Sequence, residues 1–314
     1  MSSRPYLIQA LSPLHAGTGQ SVAAIDLPIA RMRATATPFV PGSSVKGVLR
    51  HARRPADNAD AAVKDRYAAV FGPTRSADGA DGDDASIDHA GALMVGDARL
   101  LALPVRSFRG TYALATSPFL LHLAGRDLAA EPALGAPPAI PSLPTGDRVA
   151  RVGKQSWNLH KDHVYLEELD LPAAAEPAVD RWADFIARAL PGAEHALIEH
   201  RLCVVDDDTM TFLWETATQI DTRVRICSDR GIVAKGALWT EESLPPETLL
   251  VGLMTASVSL RKGVDMDSAA ILDAAVPKGG EVLQFGGKAT VGRGRCVLYT
   301  WPREVAPVGK GAKR

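Results

Sequence analysis

The chain has 314 residues, 46% hydrophobic and 23% charged, with a net charge of −1, which is an ordinary globular composition with material for a substantial core. It has no run of about eighteen apolar residues, which excludes a membrane-spanning helix. Cys203, Cys227 and Cys296 are too scattered for a disulfide framework or a zinc site, and Met1-Ser-Ser-Arg-Pro lacks signal-peptide character, so a cytoplasmic protein is expected.

Residues 6–11 read as a strand closed by Ser12-Pro13. Residues 14–19, Leu-His-Ala-Gly-Thr-Gly, form a glycine-bearing loop, and Pro28 limits residues 25–29 to an edge or a loop. Ser43 or Ser44 can cap a helix that starts near Val45, runs to about Arg53 and stops before Pro55. Its face carries Lys46, Arg50 and Arg53 or Arg54 at helical spacing. Residues 57–71 read as a second helix, 73–90 as an acidic loop and 92–103 as strands ending at Pro104. More apolar material follows at 111–123. Residues 124–147 hold five prolines and read as an irregular insertion. Residues 164–169 suggest a strand, and 177–190 form the clearest amphipathic helix, stopped by Pro191-Gly192. Strands are expected at 202–205, 216–227, 232–239 and 248–260, the middle two joined as a hairpin by Ser-Asp-Arg-Gly. A short helix at 267–275 precedes a strand, a glycine loop at 286–294 and a last strand at 295–300. The basic tail 303–314 reads as disordered. This mixture suits an α+β sheet domain with large insertions.

Charge is unevenly spread. Residues 1–72 carry nine Lys/Arg against four Asp, a net of +5, and residues 73–90 carry a net of −4. A basic face can bind phosphate on a neutral chain, although two solvated surfaces of opposite sign explain the same counts. The free amides and hydroxyls of Ser43 and Ser44 at a helix start, with Lys46 and Arg50 beyond, make an anion site. The bland alternative is a capped helix with a solvated lysine. The P-loop order of residues is absent, so nucleotide hydrolysis is not expected. Gly286, Gly287, Gly292 and Gly294 would let backbone approach another chain closely, and Lys288 and Arg293 make that loop basic; an ordinary hairpin turn is the alternative. His15 is a general-base candidate or a loop hydrogen-bonder. Asp26 lies among apolar residues and either pairs with Arg31 or Arg33 or belongs to a site. His160 and His163 could share a helix face but lack further metal ligands. Asp206-Asp207-Asp208 reads as a solvated turn.

Taken in order, these segments resemble the RAMP superfamily of CRISPR proteins, and within it the backbone subunit of type III-B (Cmr) effector complexes. The resemblance rests on residues 14–19, Ile25-Asp26-Leu27-Pro28-Ile29, residues 41–50, Asp97-Ala98-Arg99-Leu100-Leu101, Pro104-Val105-Arg106-Ser107, Leu238-Trp239-Thr240-Glu241-Glu242 with Leu244-Pro245, and the loop 286–294. It runs from about residue 6 to 300. Thr240 stands where the family often has tyrosine, Lys288 where an acidic residue is common, and the linker 124–147 has no counterpart.

The resemblance implies a ferredoxin-like (RRM-type) RNA-binding core within one RAMP domain, residues 1–302, and a protruding β-hairpin thumb within 201–239. It implies that copies of the chain stack along a guide CRISPR RNA beside other Cmr-complex subunits. Guide binding would fall to Gly17, Gly19, Ser43, Ser44, Lys46, Arg50, Arg53, Gly286, Gly287, Lys288 and Arg293. Asp26 corresponds to the aspartate that supports metal-dependent cutting of target RNA, with Mg²⁺ or Mn²⁺ as cofactor and His15, Glu241 and Glu242 as supporting residues. Two alternatives stand beside this: a non-catalytic RNA-binding filament subunit, and a metal-independent guide-processing ribonuclease using His15.

Overall fold

Along Ser2–Ala10 (β1), neighbouring side chains enter different cores: Tyr6 and Ile8 join one buried cluster and Leu7 another. That two-residue period marks a strand covered on both faces. The computed structural model describes residues 1–17, 25–73, 89–144, 146, 148–227, 229–276 and 279–301. After β1 come β2 (Phe39–Val40), α1 (Gly42–Ala52), α2 (Ala61–Phe71), β3 (Leu93–Val95), β4 (Ala98–Arg106), β5 (Tyr112–Thr116) and α3 (Pro118–Leu128). Next are β6 (Ala150–Val152), β7 (His163–Leu166), β8 (Leu169–Ala175), α4 (Pro177–Ala187), α5 (Gly192–Arg201), β9 (Leu202–Val205) and α6 (Asp207–Thr216). The chain closes with β10 (Gln219–Ile226), β11 (Val233–Ser243), β12 (Leu249–Ala256), α7 (Ser268–Ala275), β13 (Glu281–Gln284) and β14 (Arg295–Thr300).

Ten strands run side by side in the order β13-β14-β1-β12-β4-β5-β9-β6-β8-β7, with β2 on β4 and β3 on β12. Within it, β14-β1-β12-β4 is antiparallel throughout. The other end is mixed, with β5 parallel to β9 and β6 parallel to β8. Helices cover both faces. Val45 and Leu49 of α1, Phe71 of α2, Leu213 of α6 and Ile271 of α7 enter one core; Leu121 of α3, Trp182 and Ile186 of α4 and Ile198 of α5 enter the other. The molecule is therefore an α+β protein. Strands β10 and β11 pair with each other as a two-stranded sheet, apart from the large one among the described residues.

Several expectations change. The strand expected to stop at Pro104 continues to Arg106. Beyond Ala102 no pairing of β4 with β12 remains, so a residue without an N–H is tolerated there. Residues 124–147 are not wholly irregular: α3 runs into them, Leu134 is buried, and the Trp182 indole donates to the Ala139 carbonyl. Neither Ser43 nor Ser44 caps α1; the helix begins at Gly42, whose N–H donates to Asp97 Oδ1 at 2.7 Å. The run Asp206–Asp208 is a helix start, because Asp206 Oδ1 accepts the Thr209 N–H at 2.8 Å and Oδ2 its hydroxyl at 2.6 Å. The expected strand at 216–227 thus begins only at Gln219. His160 and His163 face each other across a tight turn and share no helix. Most of the acidic stretch 73–90 and the tail 303–314 lie outside the described residues.

Candidate functional site

The inner end of β11 organises the site. Successive side chains of a strand point to opposite faces. Glu241 and Glu242 are adjacent, both nearly fully buried, and are bound by different sets of partners. Glu242 Oε1 accepts from Arg31 at 2.5 Å and from the Thr218 hydroxyl at 2.9 Å, and Oε2 accepts the Ile29 N–H at 3.1 Å. Glu241 Oε1 accepts from the Trp239 indole at 2.7 Å and from Lys288 at 2.9 Å, and Arg223 approaches Oε2 at 3.4 Å. Burial alone would raise the Glu241 carboxyl, but the Lys288 ammonium, the Trp239 N–H and Arg223 outweigh it and hold the group below the ordinary glutamate range.

The segment bearing Asp26 lies along β11. Leu27 N–H donates to the Thr240 carbonyl and the Glu242 N–H donates to the Leu27 carbonyl, a parallel bridge. Asp26 is exposed, not buried, and pairs with neither Arg31 nor Arg33. Its Oδ2 accepts the Thr240 N–H at 2.8 Å and the Thr240 hydroxyl at 3.1 Å. Arg31 reaches Glu242 instead, because a nearly dry carboxylate needs a charged partner more than an exposed one does. Among the described residues, Asp26 Oδ1 accepts no hydrogen bond.

His15 is buried, and its Nδ1 lies 2.7 Å from the Glu242 carbonyl oxygen. A carbonyl only accepts, so Nδ1 carries the proton. The other ring nitrogen packs against Gly17, where an added Cβ would come within 2.6 Å of it. The glycine loop closes over the same segment. Gly286 has φ +66, and a Cβ there would stand 2.1 Å from the His15 carbonyl oxygen. Its close backbone approach is thus to this chain's own residue 15. Gly287 N–H donates to the same carbonyl. Arg293 reaches Asp221 Oδ2 at 2.5 Å. Gly19 lies outside the described residues.

The structure brings His15, Gly17, Asp26, Glu241, Glu242, Gly286, Gly287, Lys288 and Arg293 into one neighbourhood. It holds the α1 residues elsewhere. Ser43 and Ser44 are exposed on the first turn of α1. Lys46 donates to the Leu93 carbonyl at 2.7 Å, and burial and then Arg50 hold its ammonium below the usual lysine value. Arg50 donates to the Pro73 carbonyl at 2.7 Å, and Arg53 pairs with Glu281 on β13. Thr240 and Arg223 are partners that sequence reasoning did not assign, and Arg31, offered there to Asp26, belongs to Glu242. Hairpin register was the available signal: Asp221 stands opposite Glu241 and Arg223 opposite Trp239.

No cluster of three or more His, Cys, Asp or Glu among the described residues could hold a metal ion. A single exposed carboxylate, one of whose oxygens accepts no hydrogen bond among the described residues, suits Mg²⁺ or Mn²⁺ whose other ligands would be phosphate oxygens and water.

A sequence model of the RAMP superfamily matches residues 7–297. A Pyrococcus furiosus protein named CRISPR system Cmr endoribonuclease Cmr4 is 32% identical over 286 residues, covering 90% of each chain. A crystal structure of oligomeric Cmr4 from Pyrococcus furiosus matches with a TM-score of 0.70 at 25% identity, covering 98% of this chain and 99% of that one. A chain in the cryo-EM structure of the Type III-B Cmr-beta bound to cognate target RNA matches with a TM-score of 0.70 at 20% identity, covering 96% of this chain and 97% of that one. At that identity the last likeness speaks for the fold alone.

Proposed function

The chain belongs to the RAMP superfamily, and from that premise we propose that it is a guide-RNA-binding backbone subunit of a type III-B CRISPR effector that also cuts the paired target RNA. Its relative is named an endoribonuclease and crystallises as an oligomer, which supports cutting and stacking of copies along a guide beside other Cmr subunits. We take residues 1–302 as one RAMP domain. Strands β14-β1-β12-β4 with α1 and α7 serve as its ferredoxin-like core, which the β-α-β-β-α-β chain order and antiparallel neighbours support. The separate β10–β11 sheet, with Ile220, Val224, Ile226, Ile232, Val233 and Leu238 exposed, serves as the thumb.

One observation carries the cutting assignment: the Asp26 carboxylate is exposed at the base of that hairpin and fixed there by Thr240, and its Oδ1 accepts no hydrogen bond among the described residues. RNA brings its own nucleophile, the 2′-hydroxyl. The protein need only align that hydroxyl with the phosphorus and take up its proton. Asp26 Oδ1 is the acceptor in this reading, and Thr240 fixes its direction. Alternatively, Asp26 Oδ1 would hold a Mg²⁺ or Mn²⁺, directly or through water, which would offset charge developing on the phosphate. His15 and Glu242 orient the backbone around Asp26. Sequence choice is left to guide–target pairing.

In the assembled complex, Asp26→Asn is expected to retain guide and target while lowering the cutting rate at every site by at least about a hundredfold. Unchanged cutting at the same positions sinks the assignment. The bond from Thr240 also suits Asp26 as a plain strut, which favours a non-catalytic filament subunit as the second reading. Wild-type complex that binds target but leaves it intact with Mg²⁺ and Mn²⁺ present would establish that reading. The guide-processing alternative through His15 has less support, since its ring is buried and its Nδ1 is committed to a carbonyl.

A further inference from the structure

Asp221 of β10 stands directly opposite Glu241 of β11. Two carboxylates so placed repel, even with Gln219 donating to Asp221 and with Trp239 and Arg223 beside Glu241 from within the hairpin. Each is met by a cation from the loop between β13 and β14. Lys288 Nζ lies 2.9 Å from Glu241, and Arg293 lies 2.5 Å from Asp221. Three of the four side chains are less than a third exposed: Glu241 at 5%, Arg293 at 13% and Asp221 at 27%. These pairs are therefore partly shielded from the solvent that weakens surface ion pairs. The loop that supplies them is itself tied down, because Gly287 donates to the His15 carbonyl and Gly294 to that of Pro13. On β11, the residue before Glu241 is Thr240, which holds Asp26.

We infer that Lys288 and Arg293 are positioning residues: they latch the glycine loop to the base of the hairpin and so hold Thr240 and Asp26 in place, instead of gripping guide phosphates. The inference rests on reading Asp26 as the cutting residue. Both cations are directed at protein carboxylates, Lys288 at Glu241 and Arg293 through its Nη2 at Asp221. A phosphate drawing on either would compete with an acid that stands opposite another acid.

The test uses the reconstituted complex with guide RNA and a complementary target. Lys288→Gln and Arg293→Asp are each expected to slow single-turnover cutting about tenfold. Guide affinity and its dependence on salt stay as in wild type. Lys288→Arg keeps the wild-type rate. Adding Asp221→Arg to Arg293→Asp restores it, since the reversed pair attracts again. A fall in guide affinity with a salt slope flattened by about one per residue would show phosphate contacts and overturn the latch. Failure of the charge reversal to restore cutting in a folded double variant overturns it too. Where an Arg293 variant does not fold, the contrast between Lys288→Arg and Lys288→Gln decides. Asp26→Asn in the same assay separates the two claims. Persistent cutting by it removes the assignment of Asp26, whereas its silence together with a failed reversal removes only the latch.

Discussion

Glu242 shows how much one buried carboxylate can organise. Its oxygens take hydrogen bonds from Arg31, Thr218 and the Ile29 amide, and its main-chain carbonyl takes one from His15. These donors belong to three separate stretches of chain. Removing the carboxylate leaves Arg31 without its acid in a site that admits little water. Breaking such a pair costs about 3–5 kcal/mol. Glu242→Ala is therefore expected to lower thermal and urea midpoints sharply, and Glu242→Gln, which keeps one accepting oxygen but loses the charge and the second acceptor, less so. Equal midpoints for Glu242→Ala and wild type would disprove this. At this scale the sequence exposed the residue types but not their partners. His15, Asp26, Glu241 and Glu242 all stand out in it. That Arg31 belongs to Glu242 and Thr240 to Asp26 depends on β11 running beside residues 25–29, a contact more than two hundred residues away in the chain.

Helix α6 begins where charge looked incidental. Asp206 receives the amide and hydroxyl of Thr209, and Asp207 receives the Phe119 amide at 2.9 Å. Carboxylates satisfy unpaired N–H groups at a helix start and oppose its positive pole. Asp206→Ala is expected to destabilise the protein by about 1 kcal/mol. Asp208→Ala, with no such bond among the described residues, should fall within about 0.5 kcal/mol of wild type. Urea titrations followed by tryptophan fluorescence compare the two, Trp214 lying on this helix. The signal was present in Asp206-x-x-Thr209 followed by Met210, Leu213 and Trp214 at helical spacing. A run of three acids looked like a solvated turn and hid it. Helix α1 hid its cap differently. Ser43 and Ser44 are the residues a local rule chooses, but Asp97 arrives from the turn between β3 and β4 and takes the Gly42 amide. Local pattern was enough for α2, α4, α7 and the β10–β11 hairpin, whose determinants lie within each element.

The whole sheet depends on pairings that no local pattern specifies. Strand β1 lies between β12 and β14, so residues 2–10 are stitched to residues 249–256 and 295–300. Both cores run across it. One includes Leu7, Leu101, Leu202 and Val297, and the other includes Ile8, Leu100, Cys203 and Cys296. The antiparallel and mixed ends of the sheet therefore share buried contacts on both faces, which predicts that they open together. The three cysteines report on this. Cys227 is exposed, whereas Cys203 on β9 and Cys296 on β14 are fully buried and their thiols are pushed up to about 12 by burial. At pH 8 a thiol reagent is expected to modify Cys227 at once and the other two only through unfolding, because the reactive thiolate is scarce and inaccessible at both. In a urea series with peptide mapping, Cys203 and Cys296 should become reactive at the same midpoint. Separate midpoints would mean that the β5-to-β7 end of the sheet opens on its own, and that the shared cores do not couple it to the strands beside the Asp26 site.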